Sequence, residues 1–112
     1  MSKKTTAIHA SGDNVFADLG LPDSETHALK AKLVAELYRM TTERGLTQTK
    51  AGEVMGISQP EVSRLFRGSF REYSVDRLLG FLTAFDNDVE IVVQPRSSGS
   101  GRGRITVVPQ NA

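Results

Sequence analysis

The chain has no cysteine, which removes disulfide frameworks, thiolate zinc sites, iron–sulfur clusters and cysteine nucleophiles from consideration. It also lacks any run approaching the roughly 20 apolar residues that a membrane helix requires. Residues 1–10 carry two lysines but no apolar stretch behind them, so they do not read as a signal peptide, and a cytoplasmic protein without membrane contact is expected. Neither sign of charge dominates: 14 Lys and Arg stand against 13 Asp and Glu, for a formal +1. Total charge therefore does not announce a nucleic-acid partner, and its distribution has to decide. The histidines, His9 and His27, fall in different segments with no metal-ligand spacing, while Glu36, Glu43, Glu53 and Glu61 are accounted for by helix surfaces and a cap. No hydroxyl has an evident base. The expectation is a protein with no enzymatic activity, no catalytic residue, no metal and no cofactor.

What is present suits one small domain: 112 residues, 38% hydrophobic, with 10 glycines. Composition shifts near residues 23 and 95. This gives a polar N-terminal segment (1–23), expected to be flexible, a helical domain (24–86), and a C-terminal extension (87–112) with β-forming residues and a Gly/Arg-rich loop.

A first helix is expected after Pro22, where Asp23 or Ser24 can cap and Glu25 suits the positive helix start. Leu29, Leu33, Leu37 and Met40 then recur at spacings of four, four and three, which is one apolar helix face. Gly45 supplies a stop. A short second helix spans residues 48–55 before Gly56. Ser58-Gln59-Pro60-Glu61 has capping-box spacing and opens a third helix, 59–67, that ends by Gly68. A fourth helix runs from Ser74 as cap through Val75, Leu78, Leu79, Leu82 and Phe85. Residues 88–95 change to a two-residue period of β-branched side chains and predict a strand. Its partner is either residues 104–108 of the same chain or the same strand of a second subunit.

Two short helices joined by Gly56-Ile57-Ser58 are what a helix-turn-helix needs, the second helix pointing its start into the DNA major groove. Ala51, Val54 and Met55 can face the core from one helix, Val62, Leu65 and Phe66 from the other, and Gly52 permits close approach. That leaves Gln59, Pro60, Ser63, Arg64 and Arg67 facing outward. Over residues 46–68 the chain resembles the Cro/repressor type of helix-turn-helix, the XRE family. The matching positions are Gln48, a small residue at 52, Gly56, Val62, Leu65 and Gly68. Gly52 departs from the pattern, since alanine is usual there and glycine costs up to about 1 kcal/mol of helix stability.

A longer resemblance takes in residues 14–23, the helix-turn-helix, Phe81-Leu82, residues 88–93 and the Gly/Arg-rich tail, which together look like a HigA-type antitoxin. The resemblance implies a protein that neutralises an mRNA-cleaving ribonuclease toxin by binding it and represses its own operon as a dimer. The fold expected is mainly α, a Cro/repressor-like helix-turn-helix bundle with a C-terminal β-strand or hairpin.

The charge distribution also favours DNA. Residues 44–77 hold Arg44, Lys50, Arg64, Arg67, Arg71 and Arg77 against Glu53, Glu61, Glu72 and Asp76, and the tail adds Arg96, Arg102 and Arg104 with no acid after Glu90. Gln59 and Arg64 are assigned to base edges, since Gln matches adenine and Arg matches guanine, with Ser63 between them. Gln48, Arg67 and Arg71 are assigned to phosphates. Ser58 and Pro60 complete the DNA-facing set, although Ser58 reads first as a helix cap. Phe66, Phe70, Tyr73, Phe81 and Phe85 are assigned to the core rather than to base stacking.

Val15, Phe16, Leu19 and Leu21 form an apolar cluster that either folds back on the domain or orders on a protein partner. Val89, Ile91 and Val93 are the candidate dimer-forming positions of the strand, and a homodimer would place two recognition helices on a palindromic operator. Two other functions remain open on the sequence: a repressor with no toxin, and a protein-interaction module that has lost DNA binding.

Overall fold

The computed structural model describes residues 4–5, 23–96 and 101–110. Four helices follow in order: α1 (Asp23–Glu43), α2 (Gln48–Met55), α3 (Gln59–Phe66) and α4 (Val75–Ala84), with a strand β1 (Lys4–Thr5) before them and β2 (Val92–Val93) after. The fold is the mainly helical bundle expected. α1 packs on α4 and α2 on α3, and the two pairs meet through α1 with α3 and α2 with α4.

The apolar stripe of α1 does what its spacing requires. Leu29, Leu33, Val34 and Leu37 are buried, while Tyr38 beside them stays exposed, edge-on to Phe66 with ring centroids 5.3 Å apart. Ala51 and Met55 of α2, Val62 and Leu65 of α3, and Val75, Leu78, Phe81 and Leu82 of α4 close the core, with Phe70 and Phe85 filling it from the segments after α3 and α4.

The ends of α1, α3 and α4 share one device. After α1, the Gly45 amide donates to Thr42 O and Leu46 to Thr41 O. After α3, Gly68 donates to Leu65 O and Ser69 to Arg64 O. These paired bonds are the Schellman motif, which satisfies carbonyls the helix leaves orphaned and needs a left-handed residue at the reversal. After α4 the same pair runs from Asp86 to Thr83 O and Asn87 to Leu82 O, so Asp86 takes the left-handed position at φ 66°. Aspartate tolerates that region better than most side chains. Arg44 braces the site, with its guanidinium 3.8 Å from the Asp86 carboxylate.

The α2–α3 turn explains the departure at position 52. Gly52 O accepts the amides of Gly56 (2.7 Å) and Ile57 (2.9 Å). A methyl at Gly52 would stand 2.5 Å from the Ile57 carbonyl oxygen and 3.3 Å from Val62 Cγ2. Gly52→Ala would recover up to about 1 kcal/mol of helix propensity, but overpacking against backbone costs about 1–3 kcal/mol. A lower Tm in thermal unfolding is expected, and a higher one would show that the turn has slack.

The C-terminal extension differs from the expectation. Of residues 88–95, Val92 and Val93 form the strand, and they pair antiparallel with β1, Lys4 opposite Val93 and Thr5 opposite Val92. Residues 104–108 are not in a strand: Val107 packs on the helical core while Ile105 and Val108 remain exposed. The β-branched pattern marks both segments as able to pair, but the edge that reaches β2 belongs to the other end of the chain. Val89 and Val93 are exposed and Ile91 is half-buried. Among the described residues no helix is long and apolar enough to cross a membrane.

Candidate nucleic-acid interface

Three local features set the start of α3. Ser58 is in extended conformation and its Oγ accepts from the Glu61 amide, while Glu61 Oε1 accepts from the Ser58 amide at 3.1 Å and its hydroxyl at 2.9 Å. Pro60 lies in the first turn, where a missing N–H leaves no bond unmade. Hydrogen bonds from the Ser58 amide and hydroxyl hold the Glu61 carboxyl below its ordinary range. The capping box therefore keeps its acceptor charged at neutral pH.

With the helix start fixed, the outward residues fall on two adjoining rows. Gln59 and Ser63 are one turn apart, and Pro60, Arg64 and Arg67 follow at helical spacing beside them. Gln59, Pro60, Arg64 and Arg67 are exposed and Ser63 is half-buried; Val62 and Leu65 are buried on the opposite side. Arg67 is the C-cap residue of α3.

The structure brings Gln48 and Gln59 into contact. These residues begin α2 and α3, and Gln59 Nε2 donates to Gln48 Oε1 at 2.8 Å. Gln59 therefore keeps its carbonyl oxygen and one amide hydrogen free, in an orientation set by Gln48, which suits a bidentate contact with a base edge. Assigning the two glutamines separate tasks overlooked this bond, because their separation of 11 positions hides it until the turn is folded.

Beyond α3, Phe70 is buried and stacks on His27 of α1 at 4.9 Å. Lys30 Nζ donates to the Arg71 carbonyl at 2.9 Å. The segment carrying Arg71 is thus pinned to α1 from two sides, with the Arg71 side chain exposed.

Ion pairing sorts the cations. Arg39 pairs with Glu36 and Glu43, Arg44 with Asp86, Lys50 with Glu53 and Arg102 with Glu25. Among the described residues, Arg64, Arg67, Arg71 and Arg77 have no carboxylate within 4.0 Å, as is also true of Lys30, Lys32, Arg96 and Arg104 away from α3. A face whose guanidinium groups make no close ion pair, with Glu61 only at longer range of Arg64 and Arg77, keeps their N–H donors available to an external anion.

A family of sequences described as helix-turn-helix domains matches residues 15–94. A solved structure described as an XRE-family transcriptional regulator is 36% identical, superposes with a TM-score of 0.74, and aligns over 80% of this chain and 100% of its own. This chain belongs to the XRE family of helix-turn-helix proteins. No curated protein matches it in sequence. For an XRE-type protein, α2 and α3 are the helix-turn-helix pair and α3 is its second helix.

Tyr73, assigned to the core and half-buried against it, and Arg77, to which no contact was assigned, also lie here. Tyr73 Oη reaches Glu61 Oε2 at 3.5 Å, and the Arg77 guanidinium carbon stands 5.0 Å from the Tyr73 ring centroid and 5.5 Å from that of Phe81. Partial burial and the neighbouring Glu61 charge raise the Tyr73 hydroxyl above its ordinary pKa, so it remains a donor. Tyr73 lies just before the Ser74 cap, and Arg77 and Phe81 of α4 follow it at spacings of four, a pattern that brings the three near one another without showing that the rings hold the cation. The apolar cluster Val15, Phe16, Leu19 and Leu21 lies outside the described residues.

Proposed function

We propose that this XRE-type protein is a sequence-specific DNA-binding repressor of its own operon, acting as a dimer, and that it neutralises a ribonuclease toxin as HigA-type antitoxins do. The observation that carries the DNA reading is the exposed face of α3. A capped helix presents Gln59, already oriented by Gln48, beside Arg64 and Arg67, which have no carboxylate within 4.0 Å among the described residues. Gln59 and Arg64 read base edges; Ser58, Pro60 and Ser63 line the same contact; Gln48, Arg67 and Arg71 hold phosphates. The DNA-binding unit is 24–86, and it works without catalysis, in the cytoplasm.

The toxin and dimer parts rest on other support. The likeness of residues 14–23, 81–82 and 88–93 to HigA-type antitoxins supports a toxin partner, with Val15, Phe16, Leu19 and Leu21 as its contact. Exposed Val89 and Val93, flanking half-buried Ile91 beside a two-stranded sheet, support pairing of subunits through the C-terminal extension.

Fluorescence anisotropy of the full chain tests the central reading, using the duplex upstream of its own coding region and a scrambled duplex at two salt concentrations. Tighter binding to the native duplex, weakening as salt rises, is expected. Equal or absent binding would overturn autorepression. Co-expression with the protein encoded beside it should yield a complex without ribonuclease activity, and free ribonuclease in that preparation would overturn the antitoxin part.

A further inference from the structure

Between α3, the segment after it and the first turn of α4 lies an open groove lined by three arginines, Arg64, Arg71 and Arg77, two acids, Glu61 and Glu72, and by Ser69 and Tyr73. Three guanidinium groups line this groove, and none has a carboxylate within 4.0 Å among the described residues. The Glu61 carboxylate is taken up by the Ser58 amide, the Ser58 hydroxyl and the Tyr73 hydroxyl. It holds the groove wall together; Arg77 and Arg64 are near enough to help keep it ionised but make no ion pair with it within 4.0 Å.

Arg77 is placed differently from the others. Its guanidinium rests near two rings, Tyr73 at 5.0 Å and Phe81 at 5.5 Å, and these rings meet edge to face at 5.9 Å. Two aromatic faces hold a cation in place without neutralising it, and they leave its N–H edge free to donate in parallel to two oxygens. Such an edge fits a carboxylate or a phosphate, and on a DNA-binding face the anion offered to it is the backbone phosphodiester.

We propose that Arg77, positioned by Tyr73 and Phe81, forms with Arg71 a seat for one phosphodiester of the DNA backbone, extending the contact surface from α3 onto α4. The seat deepens the DNA reading of the same face and rests on it. Arg77 touches the phosphate, and Tyr73 acts through Arg77 as a positioning residue. Neither contributes to base discrimination.

The salt dependence of affinity tests the seat, because each neutralised phosphate adds about 0.9 to the slope of log affinity against log salt. Anisotropy titrations across a salt series would compare the full-length wild type with Arg77→Gln, Arg77→Lys, Tyr73→Phe and Tyr73→Leu, each on native and scrambled duplexes, with circular dichroism to confirm folding. Arg77→Gln is expected to flatten the slope by about 0.9 on both duplexes alike. Arg77→Lys keeps the slope at lower affinity, Tyr73→Phe keeps slope and affinity, and Tyr73→Leu moves toward Arg77→Gln. A wild-type slope in folded Arg77→Gln overturns the seat while leaving the DNA reading intact. Absence of salt-dependent binding by the wild type overturns both.

Discussion

Phe85→Ala is expected to lower the unfolding free energy by about 3–5 kcal/mol, the range for deleting a fully buried phenylalanine side chain. Phe85 has 0% exposure, so the lost ring leaves a cavity with little freedom to collapse. Of the contacts around it, the substitution removes the ring's contact with Arg44 and leaves the backbone bonds. Phe85 caps α4, its ring lies 5.4 Å beneath the Arg44 guanidinium, and its carbonyl accepts from Arg44 Nη2 and from Asn87 Nδ2. Asn87 Nδ2 also reaches Leu82 O at 3.0 Å and Met40 Sδ at 3.1 Å, which ties the end of α1 to the end of α4. Domains of this size have only about 5–15 kcal/mol of stability in total. Urea unfolding measures the result: the midpoint should fall sharply with the m-value unchanged. A loss below about 1 kcal/mol would mean that the ring is not packed as the bundle requires.

The parts of the fold that were legible in the sequence are those decided within one helical turn. Ser58 and Ser74 each accept from the amide three residues on, as the position of a hydroxyl before an apolar stripe implies. Gly45 and Gly68 stop their helices because the reversal has a left-handed conformation that glycine adopts without strain. Asp86 performs the same reversal without being glycine. Its segment, 86–88, reads in sequence only as a break in the apolar pattern.

Features that depend on distant partners were not legible. The period of residues 88–95 signals a strand but carries no address, and the address proved to be Lys4–Thr5 rather than residues 104–108. Gly52 was legible as a site of close approach at some loss of helix propensity, but the Ile57 carbonyl standing where a methyl would go was not. In the candidate interface, periodicity separated Arg64 and Arg67 from Val62 and Leu65 correctly as exposed and buried. It could not show that Gln48 holds Gln59, or that Tyr73 and Phe81 hold Arg77, because each contact joins separate turns or elements through a fold the pattern does not encode.

For function, the largest effect is expected from Arg64→Ala. Arg64 is exposed on α3 with no carboxylate within 4.0 Å among the described residues, and a bidentate contact to guanine is worth about 1–3 kcal/mol of discrimination. Removing it should lower affinity for the native duplex by roughly 5- to 150-fold while reducing affinity for the scrambled duplex far less. The ratio of the two affinities is the measurement, since a residue that only neutralised phosphate would weaken both alike. Arg67→Ala provides that contrast, with both affinities reduced and the salt slope flattened. Gln59 should behave like Arg64, and Gln48→Ala should reproduce part of the Gln59→Ala loss, because the 2.8 Å bond between the two amides orients the reading edge. Equal losses on both duplexes for Arg64→Ala would move Arg64 from base reading to the backbone. Discrimination would then rest on Gln59 with its Gln48 support, whose double mutant would have to abolish it.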